Sequence, residues 1–367
     1  MPQDLANRTI RVLMLPDFRH HNPYQELLAQ SLREQAVEVV FYAHYRRVFP
    51  LYRITREVGG IEVLHLHWLS SYWRGESWLA RLVYGLKLLA DILLVKSSGT
   101  RLVWTLHNLI AHDCLHPRME ARIRRAIYGL ADEVIVHSAS ARDRVSTEFR
   151  VRQAERSRVV AHGHYRSLYR DLPSASLARE RLGISRDEVV ILFFGMLKPY
   201  KGLEELIAAW GSAGEASRPA RLVIAGMAWD DAYGRRLDDL VRDRDDIRLD
   251  QGFVPEDQVS DYFVAARVVV FPFRSILTSG SVLLAMSFGR AVMAPRFNEM
   301  AELLSGADDL LYDPDDPHGL REALLKADRI DLADLEARTT RICDGFDWSP
   351  IGRLTARVYR EALGKSS

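Results

Sequence analysis

The chain has 367 residues, 48% apolar and 27% charged, the balance of a globular protein of two domains with a sizeable core. A formal net charge of +1 argues against a general nucleic-acid-binding character. The two cysteines, Cys114 and Cys343, form no CxxC pair and no metal-ligand spacing. Reduced thiols in a cytoplasmic protein are expected, with no signal peptide and no apolar run of bilayer length.

Residues 10–15 (IRVLML) read as a short buried strand with an exit loop at Pro16-Asp17. A helix is predicted over 22–35, then strands over 37–42 and 61–66. Apolar residues return at helical spacing over 78–94. A strand over 101–106 (RLVWTL) runs into His107-Asn108, followed by a helix over 119–130 and a strand over 133–137. Such alternation implies parallel strands with helices on both faces.

The pattern restarts at 189–194 (VVILFF), a strand ending in a glycine turn, with a helix over 202–210. Strands follow at 221–225, 247–249 and 268–271, with helices over 258–265 and 281–288. Residues 291–294 are the last strand the pattern places, and 349–363 form a final helix. The chain is thus expected to be α/β, with two facing, doubly wound domains over 1–165 and 166–346. Residues 347–367 follow as a closing helix. Ligands of open α/β sheets bind at the carboxyl ends of strands, so both sets of strand ends are expected to line one cleft.

Residues 195–202 (GMLKPYKG) carry the strongest chemical signal. Gly195 permits a tight turn, a helix starts after Lys201-Gly202, and free backbone N–H groups with a lysine make a diphosphate site. Lys198 lies in the same turn. An ordinary strand-to-helix turn is the alternative. The second signal is the stretch 271–281 (FPFRSILTSGS), in which Thr278, Ser279 and Ser281 flank Gly280 at a helix start. Hydroxyls there cap the helix or offer donors to a phosphate, and three of them around a glycine favour the phosphate.

Together these turns resemble the GT-B glycosyltransferases, specifically the large group related to glycosyltransferase family 4. Further matches are Ala225-Gly226, Gly252-Phe253-Val254-Pro255, the stretch 284–292 (LAMSFGRAV) and Leu311-Tyr312-Asp313-Pro314. The resemblance implies that Lys201 binds the donor diphosphate, that Phe253 and Val254 lie beside the nucleobase, and that the last helix braces the first domain. The chain also departs from the family. Met196 stands where many members have arginine, a charge that Lys198 would supply. Ile276 and Leu284 stand where retaining members carry two glutamates, the second of which holds the ribose. Glu299 is the substitute considered for that contact. These departures look more like a subgroup of bacterial exopolysaccharide transferases, which includes inverting β-mannosyltransferases that use GDP-mannose.

An inverting transferase needs a base near the acceptor hydroxyl. Asp17, after the first strand, is the first candidate and Asp113 the second, although an Asp past a strand also serves as a cap. His107 ends a strand whose counterpart in the related enzymes carries a histidine close to the donor sugar or its phosphate. His65 and His67 alternate, so that one faces the core and the other the strand end. No metal site is read, because neither ligand spacing nor an Asp-x-Asp element at a strand end supports one.

Residues 1–160 hold 23 Lys+Arg against 16 Asp+Glu, a balance of +7, and the rest holds 27 against 33, or −6. The segment 73–96 interleaves aromatic and basic residues on a helix that either rests on an anionic membrane surface or packs on the sheet. The sequence thus predicts a metal-independent, cytoplasmic glycosyltransferase with peripheral contact at the inner face of a membrane. It moves a hexose from GDP-mannose or a UDP-sugar to a saccharide or lipid-linked saccharide, with no nucleic-acid partner. The alternatives are a catalytically weak sugar-nucleotide-binding protein, a retaining transferase or another enzyme of the same architecture.

Overall fold

Short, mostly apolar runs of two to seven residues, each closed by a glycine, proline or polar turn, become the parallel strands of two six-stranded sheets. The computed structural model describes residues 8–20, 22–44, 48–73, 77–109, 114, 116–151, 156–212, 220–327 and 329–364. They divide into two units, residues 1–163 with 347–367 and residues 164–346.

The first unit contains β1 (Ile10–Leu15), α1 (Tyr24–Arg33), β2 (Val37–Phe41), α2 (Pro50–Val58), β3 (Val63–Leu66), α3 (Trp78–Ser97), β4 (Arg101–Thr105), α4 (Pro117–Leu130), β5 (Glu133–Val136), α5 (Ala139–Glu148) and β6 (Ser157–Val159). Its strand order is β2-β1-β3-β4-β5-β6. The second unit contains α6 (Ala175–Arg181), β7 (Val189–Phe194), α7 (Leu203–Ser212), β8 (Ala220–Gly226), α8 (Asp231–Val241), β9 (Ile247–Gln251), α9 (Glu256–Ala265), β10 (Val268–Val270), α10 (Gly280–Ser287), β11 (Ala291–Pro295), α11 (Asn298–Leu303), β12 (Leu311–Tyr312), α12 (Gly319–Ala327) and α13 (Leu332–Asp344). Its order is β12-β11-β10-β7-β8-β9. Both are Rossmann-like α/β units.

Residues 291–294 are not the last strand. The two-residue β12 pairs with β11 at Ala294 and Leu311, and it is too short to leave a period in the sequence. The helix expected over 202–210 starts at Leu203, after a 3-10 turn over Pro199–Lys201. Asp230 caps α8 by accepting from Tyr233 N at 2.7 Å. Among the described residues no helix is long and apolar enough to cross a membrane.

The last helix, α14 (Trp348–Gly364), belongs to the first unit. Ile351, Ala356, Val358, Tyr359 and Ala362 join one apolar core with Leu28, Val63, Val103 and Ile135. The Tyr359 hydroxyl lies 2.7 Å from His65 Nδ1, and Arg360 donates to Gln35 O at 2.8 Å. Gly352 is required by close packing against α1: a Cβ there would sit 2.8 Å from Ser31 O.

Gly352→Ala should therefore push α14 off α1 and cost roughly 1–3 kcal/mol in thermal melts. Gly129→Ala, exposed near the end of α4 with nothing within 4 Å of its Cβ, should stabilise by roughly 0.5–1 kcal/mol. Equal melting temperatures for the two variants would contradict this packing.

Candidate functional site

In the second sheet the chain winds from β7 out to β9, returns, and winds from β10 out to β12. The order therefore reverses between β7 and β10, and the crevice outside their carboxyl ends is where such a sheet takes a ligand. Both glycine-hinged turns sit there. Gly195 has φ +133°, and a Cβ on it would lie 3.2 Å from Ser281 Oγ, so the turn after β7 touches the first turn of α10. Gly226, at φ +147°, lets β8 approach; a Cβ there would meet Gly195 O at 2.0 Å. Gly202 lies against Pro272, whose carbonyl oxygen would be 1.9 Å from its Cβ. Arg274 N also donates to Tyr200 O at 3.0 Å. Segments 195–202 and 271–281 are thus locked together.

Lys201 lies within this lock and is only 7% exposed. Its Nζ is 4.8 Å from the centre of the Phe273 ring and 5.6 Å from that of Tyr200. Among the described residues no carboxylate or carbonyl accepts from it. Burial, followed by the charge of Lys198, pushes its pKa down to about 8. Lys198 itself stands over the Trp229 ring, with Nζ 3.7 Å from the centroid.

The α10 N-terminus adds donors. The Ser279 hydroxyl caps the helix, accepting from Val282 N at 3.3 Å. The Gly280 and Ser281 amides find no acceptor among the described residues, and the buried Thr278 Oγ1 has no partner there. An ammonium without a counter-charge, beside open amides and a hydroxyl, has the chemistry of an anion site. The start of α7 is less suitable. Glu204 and Glu205 occupy its first turn, held by Arg274, and Glu204 also pairs with Arg236. Their charge would repel an anion, which makes the start of α10 the better suited of the two helix ends.

Phe253 follows β9 and is 77% exposed, next to half-buried Val254. Glu299 is buried in the first turn of α11, after β11. Sheet order puts β9 and β11 on opposite flanks of the switch point, four strand spacings or roughly 19 Å apart. The sheet therefore separates these nucleoside candidates, whereas Gly195, Lys201 and Ser281 are drawn together.

In the first unit the order reverses between β1 and β3. Asp17 follows β1. Its two carboxylate oxygens accept from Arg19 Nε and Nη2, each at 3.0 Å, and Arg19 N donates to it at 3.2 Å. Burial raises its pKa, but the Arg19 hydrogen bonds and the charges of Arg19 and His20 outweigh burial and hold it below the ordinary value. Asp113 lies outside the described residues.

Histidines close the next strands: His67 after β3, His107 after β4, His137 after β5 and His162 after β6. The four are buried and, with His65, are held neutral mainly by desolvation. His107 Nε2 lies 3.1 Å from His67 Nδ1, and Trp68 stacks on His107 with centroids 4.5 Å apart. The His107 Nδ1 remains open among the described residues. His65 faces the core, bound to Tyr359 and Thr105. No described group of three or more His, Cys, Asp or Glu has the arrangement to hold a metal ion. The array of Trp68, His137 and His162 was not singled out in the sequence, although HLH, LHN, VHS and HGH at successive strand ends are its signal.

Two outcomes follow from these electrostatics. Carrying Lys201 charged at pH 7 costs about 3 kcal/mol, from the drop from 10.5 to about 8. Lys201→Met should therefore raise the melting temperature of the ligand-free protein. It should also weaken nucleoside-diphosphate binding roughly 10- to 100-fold in calorimetry, the worth of a charge-assisted bond. Wild-type affinity should fall as pH rises past about 8. The histidines act in the acid range. His65 and His162 are lowered to about 3 and His137 to about 4, from 6.5. Unfolded imidazoles bind protons first, so this stability is present in full above about 6.5 and is lost as pH falls toward those values. Melting temperature should drop steeply between about pH 6.5 and 5, and a flat profile would contradict the buried, neutral state.

Residues 188–327 match the family model described as glycosyl transferases group 1. The chain is 28% identical over 356 residues to the GDP-mannose:glycolipid 4-beta-D-mannosyltransferase of Xanthomonas campestris pv. campestris, covering 94% of this chain and 89% of that one. It is 28% identical over 359 residues to the D-inositol 3-phosphate glycosyltransferase of Thermobispora bispora, covering 93% and 78%. Among solved structures, sucrose-phosphate synthase from Thermosynechococcus elongatus superposes with a TM-score of 0.74 at 19% identity, over 98% of this chain and 100% of that one. Anabaena HepE in complex with UDP and glucose superposes at 0.71 and 17%, over 95% and 98%. The segment that matches the group 1 glycosyltransferase model spans both glycine-hinged turns, and the two Rossmann-like units have the GT-B fold.

Proposed function

We propose that the protein transfers a hexosyl group from a nucleoside-diphosphate sugar to a saccharide or lipid-linked saccharide, with no divalent metal. The observation that carries this reading is Lys201, a buried ammonium without a counter-charge at the switch point of the second sheet, beside the open amides of α10. A diphosphate satisfies all of these groups at once. The named activity of the Xanthomonas relative favours GDP-mannose and a glycolipid acceptor, and the UDP in Anabaena HepE keeps a UDP-sugar as the second donor to test.

In the proposed reaction the acceptor hydroxyl oxygen attacks the anomeric carbon as the bond to the diphosphate oxygen breaks. The departing diphosphate gains charge, which Lys201, Lys198 and the Gly280 and Ser281 amides stabilise; preorganised donors of this kind supply several kcal/mol. A base must take the hydroxyl proton, and within the first unit His107 Nδ1 is the candidate, since the neutral ring can accept a proton and His67 holds its other nitrogen. Asp17, already clamped by Arg19, positions the loop after β1. Ile276 and Leu284 offer no carboxylate, which favours direct displacement with inversion over a retaining route.

A thermal-shift screen of GDP-, UDP-, dTDP- and ADP-sugars in EDTA, followed by transfer assays, tests this reading. Stabilisation by one nucleotide class and transfer in EDTA are expected, with an inverted linkage by NMR. His107→Gln should lower kcat by roughly 100- to 10,000-fold while leaving donor affinity intact, and Asp17→Asn should cost far less. The opposite ranking would make Asp17 the base. Nucleotide binding without transfer or donor hydrolysis would point to a binding protein.

A further inference from the structure

Helix α3 is apolar on two sides. Its inner side, with Leu88, Ile92 and Val95, is buried, and Gly85 lets Ile123 of α4 approach within van der Waals contact. Its other side carries Trp78, Leu79, Val83, Leu86, Leu93 and Leu94, between 36% and 63% exposed. These are six of the sixteen large hydrophobic side chains exposed among the described residues. From Trp78 to Leu94 they form a stripe about 25 Å long, more contiguous apolar surface than a solvated helix normally leaves uncovered.

Charge flanks the stripe. Helix α4 packs along α3 and exposes Arg118, Arg122 and Arg125, while α2, its other neighbour, exposes Arg53 and Arg56. None of the five has a carboxylate partner among the described residues. The only acid of α3, Asp91, is buried and accepts from Leu51 N and Tyr52 N. The stripe thus has unpaired positive charge on its neighbours and exposes no negative charge of its own. A protein partner for an apolar stripe need not be anionic, whereas a bilayer of acidic phospholipids supplies both an apolar interior and a negative surface.

We propose that α3 lies in the interface of an anionic phospholipid bilayer, with its leucine and valine stripe in the acyl boundary and the arginines of α2 and α4 on the headgroups. The inference is independent of the donor-site reading, since vesicle binding is measured without nucleotide.

Flotation of the full chain with vesicles of phosphatidylcholine, alone or doped with phosphatidylglycerol, tests it. Binding to the doped vesicles, weakened by salt, is expected. Leu79→Ser/Val83→Ser/Leu86→Ser should abolish it. Arg118→Gln/Arg122→Gln/Arg125→Gln should reduce partitioning roughly 100-fold. If the serine variant melts early, Leu79→Cys carrying an environment-sensitive dye replaces it, and a blue shift on doped vesicles is expected. The proposal is overturned by wild-type protein that does not float, by unchanged flotation of a folded serine variant, or by an unshifted dye. It is overturned too if the stripe proves to hold a dimer that the serine substitutions split.

Discussion

A buried positive charge with no counter-charge among the described residues is the constraint around which the second unit is arranged. Lys201 is shielded by Phe273 and Tyr200 and held in place by contact of Gly202 with the Pro272 carbonyl. Such a charge costs stability unless something anionic repays it. The surrounding chain does not neutralise it: nearby Glu204 and Glu205 are turned to Arg274 and Arg236. The fold thus spends stability to keep an ammonium desolvated, and an anion reaching it would meet a strong field without reorganisation.

The first unit follows the opposite electrostatic logic. Its strand ends gather imidazoles rather than fixed charges, and burial keeps those rings neutral. Neutral rings can each donate on one nitrogen and accept on the other, a useful property beside hydroxyl-rich ligands. The only carboxylate described at the switch point, Asp17, is clamped by Arg19. The second unit therefore holds an open positive charge at its switch point, and the first holds neutral polar rings at its strand ends.

The near-zero net charge conceals how charge is distributed. In the second unit many acids are used in ion pairs, as in Asp261 with Arg181, Glu188 with Arg221 and Asp246 with Arg244. In the first unit Arg53 and Arg56 of α2 and Arg118, Arg122 and Arg125 of α4 have no acidic partner among the described residues, beside an apolar helix. A surplus that sums to little over the chain thus becomes a local surface of one sign.

Much of the architecture was legible in the sequence, because apolar runs of strand length and glycine breaks are local signals. That is why β7, the turn after it and Lys201 could be read directly. Sheet order was not legible, since pairing joins residues far apart in the chain, and the two residues of β12 carry no period. Sequence likewise named His107 and Asp17 but not their partners: His67 lies 40 positions from His107, and Asp17 has Arg19 two positions away but binds it only through the shape of its loop. By itself the sequence determined where turns and charges fall along the chain. Tertiary structure decided which charges are neutralised and which stay open, because burial and pairing depend on distances in space.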